Sequence, residues 1–144
     1  MGRLLLPDQL DAFLRKCTEM IGDVTDPAIA NKRCIHVSGL FRSEHGGRLV
    51  VAYGPLNVTG PSEAPGHVAV LKGRDRIIYD WTARQFWPDA ACPLIEPLDV
   101  WAARFSGYHP ELRRSVTPGR VRYWNHGHEG RILVPAPKEL PCPT

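Results

Sequence analysis

With 144 residues, the chain is long enough for one domain with a core of its own. Apolar content of 43% and charge of 23% are ordinary for a globular protein, and a net charge of +3 spread over scattered Lys and Arg is too weak to argue for a nucleic-acid partner. The opening MGRLLLPDQL is too short an apolar run for a signal-peptide core or a membrane span, so the expectation is a soluble protein, cytoplasmic or exported by a route the chain does not encode.

Taken in order, Leu10, Phe13, Leu14, Cys17 and Ile21 recur at three- and four-residue spacing, which predicts a helix from about Pro7 to Ile21 that stops at Gly22. Cys17 lies on its apolar stripe and reads as core. A loop from Asp23 to Lys32 follows. Cys34, Val37, Ser38 and Phe41 then share one side of a second helix, capped near Asn31 and ending at Gly46-Gly47. Cys34 falls in its first turn, where free backbone N–H groups and the neighbouring Lys32 and Arg33 favour a thiolate. The other three cysteines, Cys17, Cys92 and Cys142, show neither a CxxC motif nor metal-ligand spacing, which fits thiols in a reducing compartment.

Arg48–Tyr53 (RLVVAY) reads as a strand, and the Pro- and Gly-rich stretch 54–65 as a loop. Next comes a predicted hairpin, His67–Leu71 and Arg76–Asp80, turning on Gly73-Arg74 as a two-residue loop. Lys72 opposite Asp75 then puts His67 directly opposite Asp80, with Cβ atoms about 4.5–5.5 Å apart on one face. An imidazole and a carboxylate so placed can hydrogen-bond.

The aromatic stretch Trp81–Cys92 reads as a turn and an irregular crossing of the surface. A short helix from about Pro97 follows, with Leu98, Trp101, Ala102 and Phe105 as its apolar face. Gly119–Val134 reads as a second hairpin around Asn125–Gly130, where His126 and His128 fit a polar loop better than a metal pair. The basic segment Arg113–Arg122 lacks the aromatic interleaving of a nucleic-acid platform. The proline-broken end, about 136–144, reads as an extended or disordered tail of a single domain over 1–144. The fold expectation is α+β, with N-terminal helices packed on an antiparallel sheet of about four to six strands.

Cys34, His67 and Asp80 supply the roles a cysteine hydrolase needs, namely nucleophile, general base and acid, and orienting carboxylate. Neither a metal nor an organic cofactor is required for that chemistry. The pieces Cys34-Ile35-His36-Val37-Ser38, Gly66-His67-Val68-Ala69-Val70 and Asp80-Trp81-Thr82-Ala83-Arg84-Gln85-Phe86 resemble the papain-like/transglutaminase-like superfamily, more narrowly the small bacterial papain-fold toxin and effector glutamine deamidases. The resemblance covers about Lys32 to Phe86. It implies a papain-like fold, a protein or peptide substrate, and an immunity or inhibitor protein as partner if the chain is a toxin. It also implies that Thr82 and Gln85 brace the site; the chain departs from the pattern before Cys34, where papain-like peptidases keep an oxyanion-hole Gln and this neighbourhood offers only Asn31. The function expected is amide hydrolysis by a Cys-His-Asp triad, either glutamine deamidation or peptide cleavage. Trp81, Phe86 and Trp87 are expected to line a substrate groove, and with Trp101 they concentrate aromatic rings beside the triad. The alternative is a non-catalytic binding module that uses those same aromatic rings.

Overall fold

A computed structural model of the chain describes residues 4–53, 58–63, 66–105, 108–109, 114–115, 119–125, 128–134 and 140–144; between 106 and 139 it describes backbone alone. Helix α1 runs Pro7–Met20 with proline in its first turn, where a missing N–H costs nothing, and buries Phe13 and Cys17. The Ile21 and Gly22 N–H groups both close on the Cys17 carbonyl, at 2.8 and 3.0 Å. Gly22 has φ of +151°, and a Cβ there would meet Ile29 at 2.7 Å, so the turn out of α1 needs glycine.

The stretch expected to be a loop holds a short helix, α2, Pro27–Ala30, capped by the Asp26 carboxylate on the Ala28 N–H. Asn31 therefore ends α2 rather than starting α3, a correction to the expected cap. Lys32 takes a left-handed φ of +63°, and Arg33 becomes the N-cap residue with no side-chain cap bond. Helix α3, Cys34–His45, then begins at Cys34 itself, buries Val37, Ser38 and Phe41, and ends on Gly46 at φ +76°.

Strands β1 Arg48–Tyr53, β2 Gly66–Lys72, β3 Ile77–Asp80, β4 Leu94–Pro97, β7 Gly119–Asn125 and β8 His128–Val134 form one antiparallel sheet in the order β4-β3-β2-β1-β7-β8. A separate two-stranded ribbon pairs β5, Tyr108–His109, with β6, Arg114–Ser115. The architecture is α+β.

The sheet is covered on both sides, so β2 is buried at five successive positions, His67–Leu71, instead of alternating. Val70, Tyr79 and Trp81 pack with Phe13, Cys17, Val37 and Phe41 on the side of α1 and α3. Ala69, Leu71, Ile78 and Phe86 pack on the other side with Leu98, Trp101 and Phe105, carried on or just beyond helix α4, Leu98–Ala103. Strand β4, which sequence patterning missed, is a short edge strand ending at Pro97, a position where proline does no harm to the ladder.

The β2–β3 register differs from the expected one. Lys72 pairs with Ile77, Leu71 with Ile78 and Val70 with Tyr79, so the loop has four residues, Gly73–Arg76, and the register is displaced by two. Arg76 accepts a left-handed φ of +52°, and its carbonyl receives the Leu98 N–H at 2.9 Å, a tertiary bond invisible to local turn rules.

Residues Trp81–Phe86 do not cross the surface: Trp81, Thr82, Ala83, Gln85 and Phe86 are buried around a 3-10 turn, Ala83–Gln85. A strap over them carries Thr59 and Gly60 N–H groups to the Phe86 carbonyl at 2.9 and 2.7 Å, and Ser62 N–H to Gln85 at 3.0 Å. A Cβ on Gly60 would lie 2.2 Å from the Gln85 carbonyl, so only glycine lets the strap lie this close.

The last residues, 140–144, form neither helix nor strand. The Pro143 carbonyl accepts from Ala91, and the Pro141 carbonyl accepts from Arg104, whose guanidinium also makes a buried two-pronged pair with Glu96 at 2.8 Å on each prong.

Candidate active site

His67 and Asp80 come together at the end of β3, with Nε2 2.6 Å from Oδ2 and both side chains fully buried. They are diagonal neighbours rather than direct partners. A two-residue register shift keeps side-chain parity, because strand side chains alternate with period two, so both still face α4. Diagonal pairs stand about 7–8 Å apart at the backbone, within reach of a long or aromatic side chain. A carboxylate only accepts, so Nε2 carries the hydrogen, leaving Nδ1 for a second partner.

The Cys34 thiol hydrogen-bonds to the His67 ring and receives the Val68 backbone N–H. Helix α3 delivers it there because Cys34 is one turn before Val37 and Ser38 on the helix's buried side. Ser38 Oγ donates to the Val68 carbonyl at 3.1 Å, so one residue of β2 is gripped through its N–H by Cys34 and through its C=O by Ser38.

Burial alone would raise the Cys34 pKa; the His67 hydrogen bond, the charge on that ring and the Val68 N–H outweigh it and leave the thiol below its ordinary value. Burial likewise works against a charged His67, yet the charge of Asp80, its hydrogen bond and the bond to Cys34 lift the ring to about 9. Cys17 and Cys92, with no such partner, are pushed the other way by burial, each to about 11.

Two further N–H groups hold Asp80. Thr82 N–H donates to Oδ1 at 3.1 Å, and the Trp101 indole N–H to Oδ2 at 3.0 Å. Phe86 meets the His67 ring edge-on at 4.7 Å between centroids, and Phe105 stacks on it at 5.6 Å. The imidazole therefore has a fixed plane and no contact with water.

Gln85 is buried and ties the parts together. Its Oε1 accepts the Lys32 N–H at 3.3 Å, while its Nε2 donates to Thr82 Oγ1 at 3.1 Å and lies 3.4 Å from His67 Nδ1. Asn31 presents a buried Oδ1 that has no hydrogen-bond partner among the described residues. The first N–H groups of α3, Cys34's own included, precede the first intrahelical bond, Val37 N–H to Arg33 at 3.0 Å, and have no intrahelical acceptor among the described residues.

The expected aromatic groove is not formed. Trp81 and Phe86 are buried on opposite sides of the sheet, Trp101 is buried on Asp80, and Trp87 is half-buried against Phe86 and Phe105. The rings are large apolar area that the two cores absorb. Trp101 and Ser38 are the positioning residues that sequence reading missed. The available signal was chemical: a buried indole N–H usually finds an acceptor, as that of Trp101 does on Asp80, although the buried Trp81 N–H has none among the described residues.

The side chains of His126 and His128 lie outside the described residues. Among the described residues, no three His, Cys, Asp or Glu side chains gather as a metal site, and no helix is long and apolar enough to cross a membrane. No protein-family model matches the chain, and no curated protein or solved structure is significantly similar to it.

Proposed function

We infer that the protein is a cysteine-dependent amide hydrolase of papain-like type, with Cys34 as nucleophile, His67 as general base and acid, and Asp80 as the group that orients the imidazole. The observation that carries this reading is the unbroken hydrogen-bonded chain from the Cys34 thiol through His67 to Asp80, in which the thiol's pKa is lowered although the group is half-buried. In this mechanism His67 holds the Cys34 proton as imidazolium, and the thiolate adds to the amide carbonyl carbon. First-turn N–H groups of α3 hold the resulting oxyanion. His67 gives its proton to the departing nitrogen, the C–N bond breaks and a thioester remains. Water then attacks the thioester, His67 takes its proton, and a carboxylic acid leaves as the thiolate returns.

The net reaction is amide plus water to acid plus ammonia or amine. A side-chain amide of protein glutamine and a peptide bond both fit it, and deamidation of the bacterial toxin or effector kind is the favoured form. In that setting an immunity or inhibitor protein is the natural partner.

The test is alkylation by iodoacetamide, read for each cysteine by peptide mass against pH. Cys34 is expected to react fast below neutral pH, Cys17 and Cys92 slowly throughout, and His67→Ala to slow Cys34 at neutral pH by about tenfold or more. Cys34 behaving as an ordinary thiol, or reacting only after unfolding, overturns the reading.

A further inference from the structure

The chain segment that carries Cys34 holds two exposed positive charges and no carboxylate. Lys32 and Arg33 precede Cys34 and His36 follows two residues later, and all three are exposed. Consecutive Cα atoms lie about 3.8 Å apart, so these three backbones are within about 8 Å of Cys34, one Debye length at physiological salt. Not one Asp or Glu occurs between Asp26 and Glu44. None of the ion pairs among the described residues engages Lys32, Arg33 or His36. Two isoleucines stand out on the same segments, Ile35 at 63% and Ile29 at 37% exposure. The charged segment is also fixed to the site: Lys32 is held in its left-handed conformation with its N–H on Gln85, whose other end reaches His67.

We propose that this surface selects acidic polypeptide, binding segments that carry carboxylates next to the reacting amide and an apolar residue for Ile29 or Ile35. This rests on Cys34 being the nucleophile. The attraction acts in two ways. It raises the local concentration of an anionic segment at the thiolate, and it offsets the repulsion that the thiolate itself exerts on such a segment. Exposed charges are screened, so the preference is a few-fold effect that salt removes. The exposed isoleucines favour a peptide chain over a polynucleotide as the anionic partner.

The experiment uses the full chain with chloroacetyl-Glu-Glu-amide, chloroacetyl-Lys-Lys-amide and neutral chloroacetamide; each forms a thioether by thiolate displacement of chloride. Rates at Cys34 are read by peptide mass, with N-acetylcysteine amide as the free-thiol reference. The Glu-to-Lys rate ratio at Cys34 is expected to exceed the free-thiol ratio by about threefold or more at low salt and to approach it at high salt. Lys32→Glu with Arg33→Glu should bring the ratio to the free-thiol value or below, and Lys32→Gln with Arg33→Gln should bring it partway. A ratio equal to the reference at low salt, or one unchanged by the double charge reversal in folded protein, overturns the proposal while leaving the nucleophile in place. A Cys34 unreactive toward neutral chloroacetamide below neutral pH overturns both.

Discussion

The indole N–H of Trp101 donates at 3.0 Å to Oδ2 of Asp80, the same oxygen that receives His67 at 2.6 Å. Two donors thus converge on one lone-pair-bearing atom from two elements, β2 and α4. Trp101→Phe keeps most of the ring's packing and deletes the donor. It is expected to cost about 1–3 kcal/mol in chemical denaturation, the range for a lost hydrogen bond to a buried charged group. It is also expected to slow Cys34 alkylation below neutral pH. A denaturation midpoint equal to that of the unaltered chain would show that the bond contributes nothing.

Asp80→Asn should leave the sheet intact, since the amide is isosteric with the carboxylate. Without the negative charge, only Cys34 is left to offset the burial of a protonated His67, so its pKa should fall well below about 9. Cys34 then loses its cationic partner and reacts more slowly near neutral pH. The decline should be smaller than for His67→Ala, which removes the partner outright. A histidine titration by NMR together with the alkylation rate checks both halves.

Stability should follow the protonation of His67. Its folded pKa of about 9 stands above the ordinary 6.5, so the proton it binds stabilises the fold. That contribution is complete below about 6.5 and is lost as pH rises through the folded value. Cys34 has the opposite sign: its lowered pKa makes a contribution present above the ordinary thiol value and lost as pH falls through the folded one. In Cys34→Ala only the first remains, reduced because the thiol's own lift on the ring is gone, and the urea midpoint should fall as pH rises from 6.5 through a folded value below about 9. A midpoint flat across that window would mean that His67 is not held as imidazolium.

Arg104 and Glu96 pair at 2.8 Å through both prongs in a buried position, and burial still leaves the Glu96 pKa raised. Arg104→Leu strands that carboxylate and is expected to cost about 3–5 kcal/mol. The Glu96 pKa then rises further, so the cost should be smaller in acid, where the carboxyl is neutral, and larger as pH rises through its folded value. Glu96→Leu with Arg104→Leu should recover most of the loss. Equal destabilisation by the single and double replacements would show that the damage lies in packing rather than charge.

Much of this was written in the chain at short range. The stripe Phe13–Cys17 specified α1, Gly46 its counterpart's end, and the alternation in β2 and β3 put His67 and Asp80 on one face. That last inference survived a wrong register because side chains repeat every two residues, and the displacement was two. The turn itself was misread because Arg76 is held left-handed with its carbonyl bonded to Leu98, far along the chain. The burial of Trp81 and Phe86 was also beyond sequence patterning, since it depends on which side of the sheet each helix and the 58–63 strap cover.

By itself, then, the sequence determined the local elements, the parity of the His67–Asp80 pair and the place of Cys34 in a helix's first turn, all of which follow from residue spacing. Only the tertiary structure decided that Cys34 reaches His67, that Ser38 grips Val68 and that Trp101 holds Asp80. Those contacts join elements distant in sequence, and their geometry is set by how two helical layers pack on one sheet, which no local periodicity encodes.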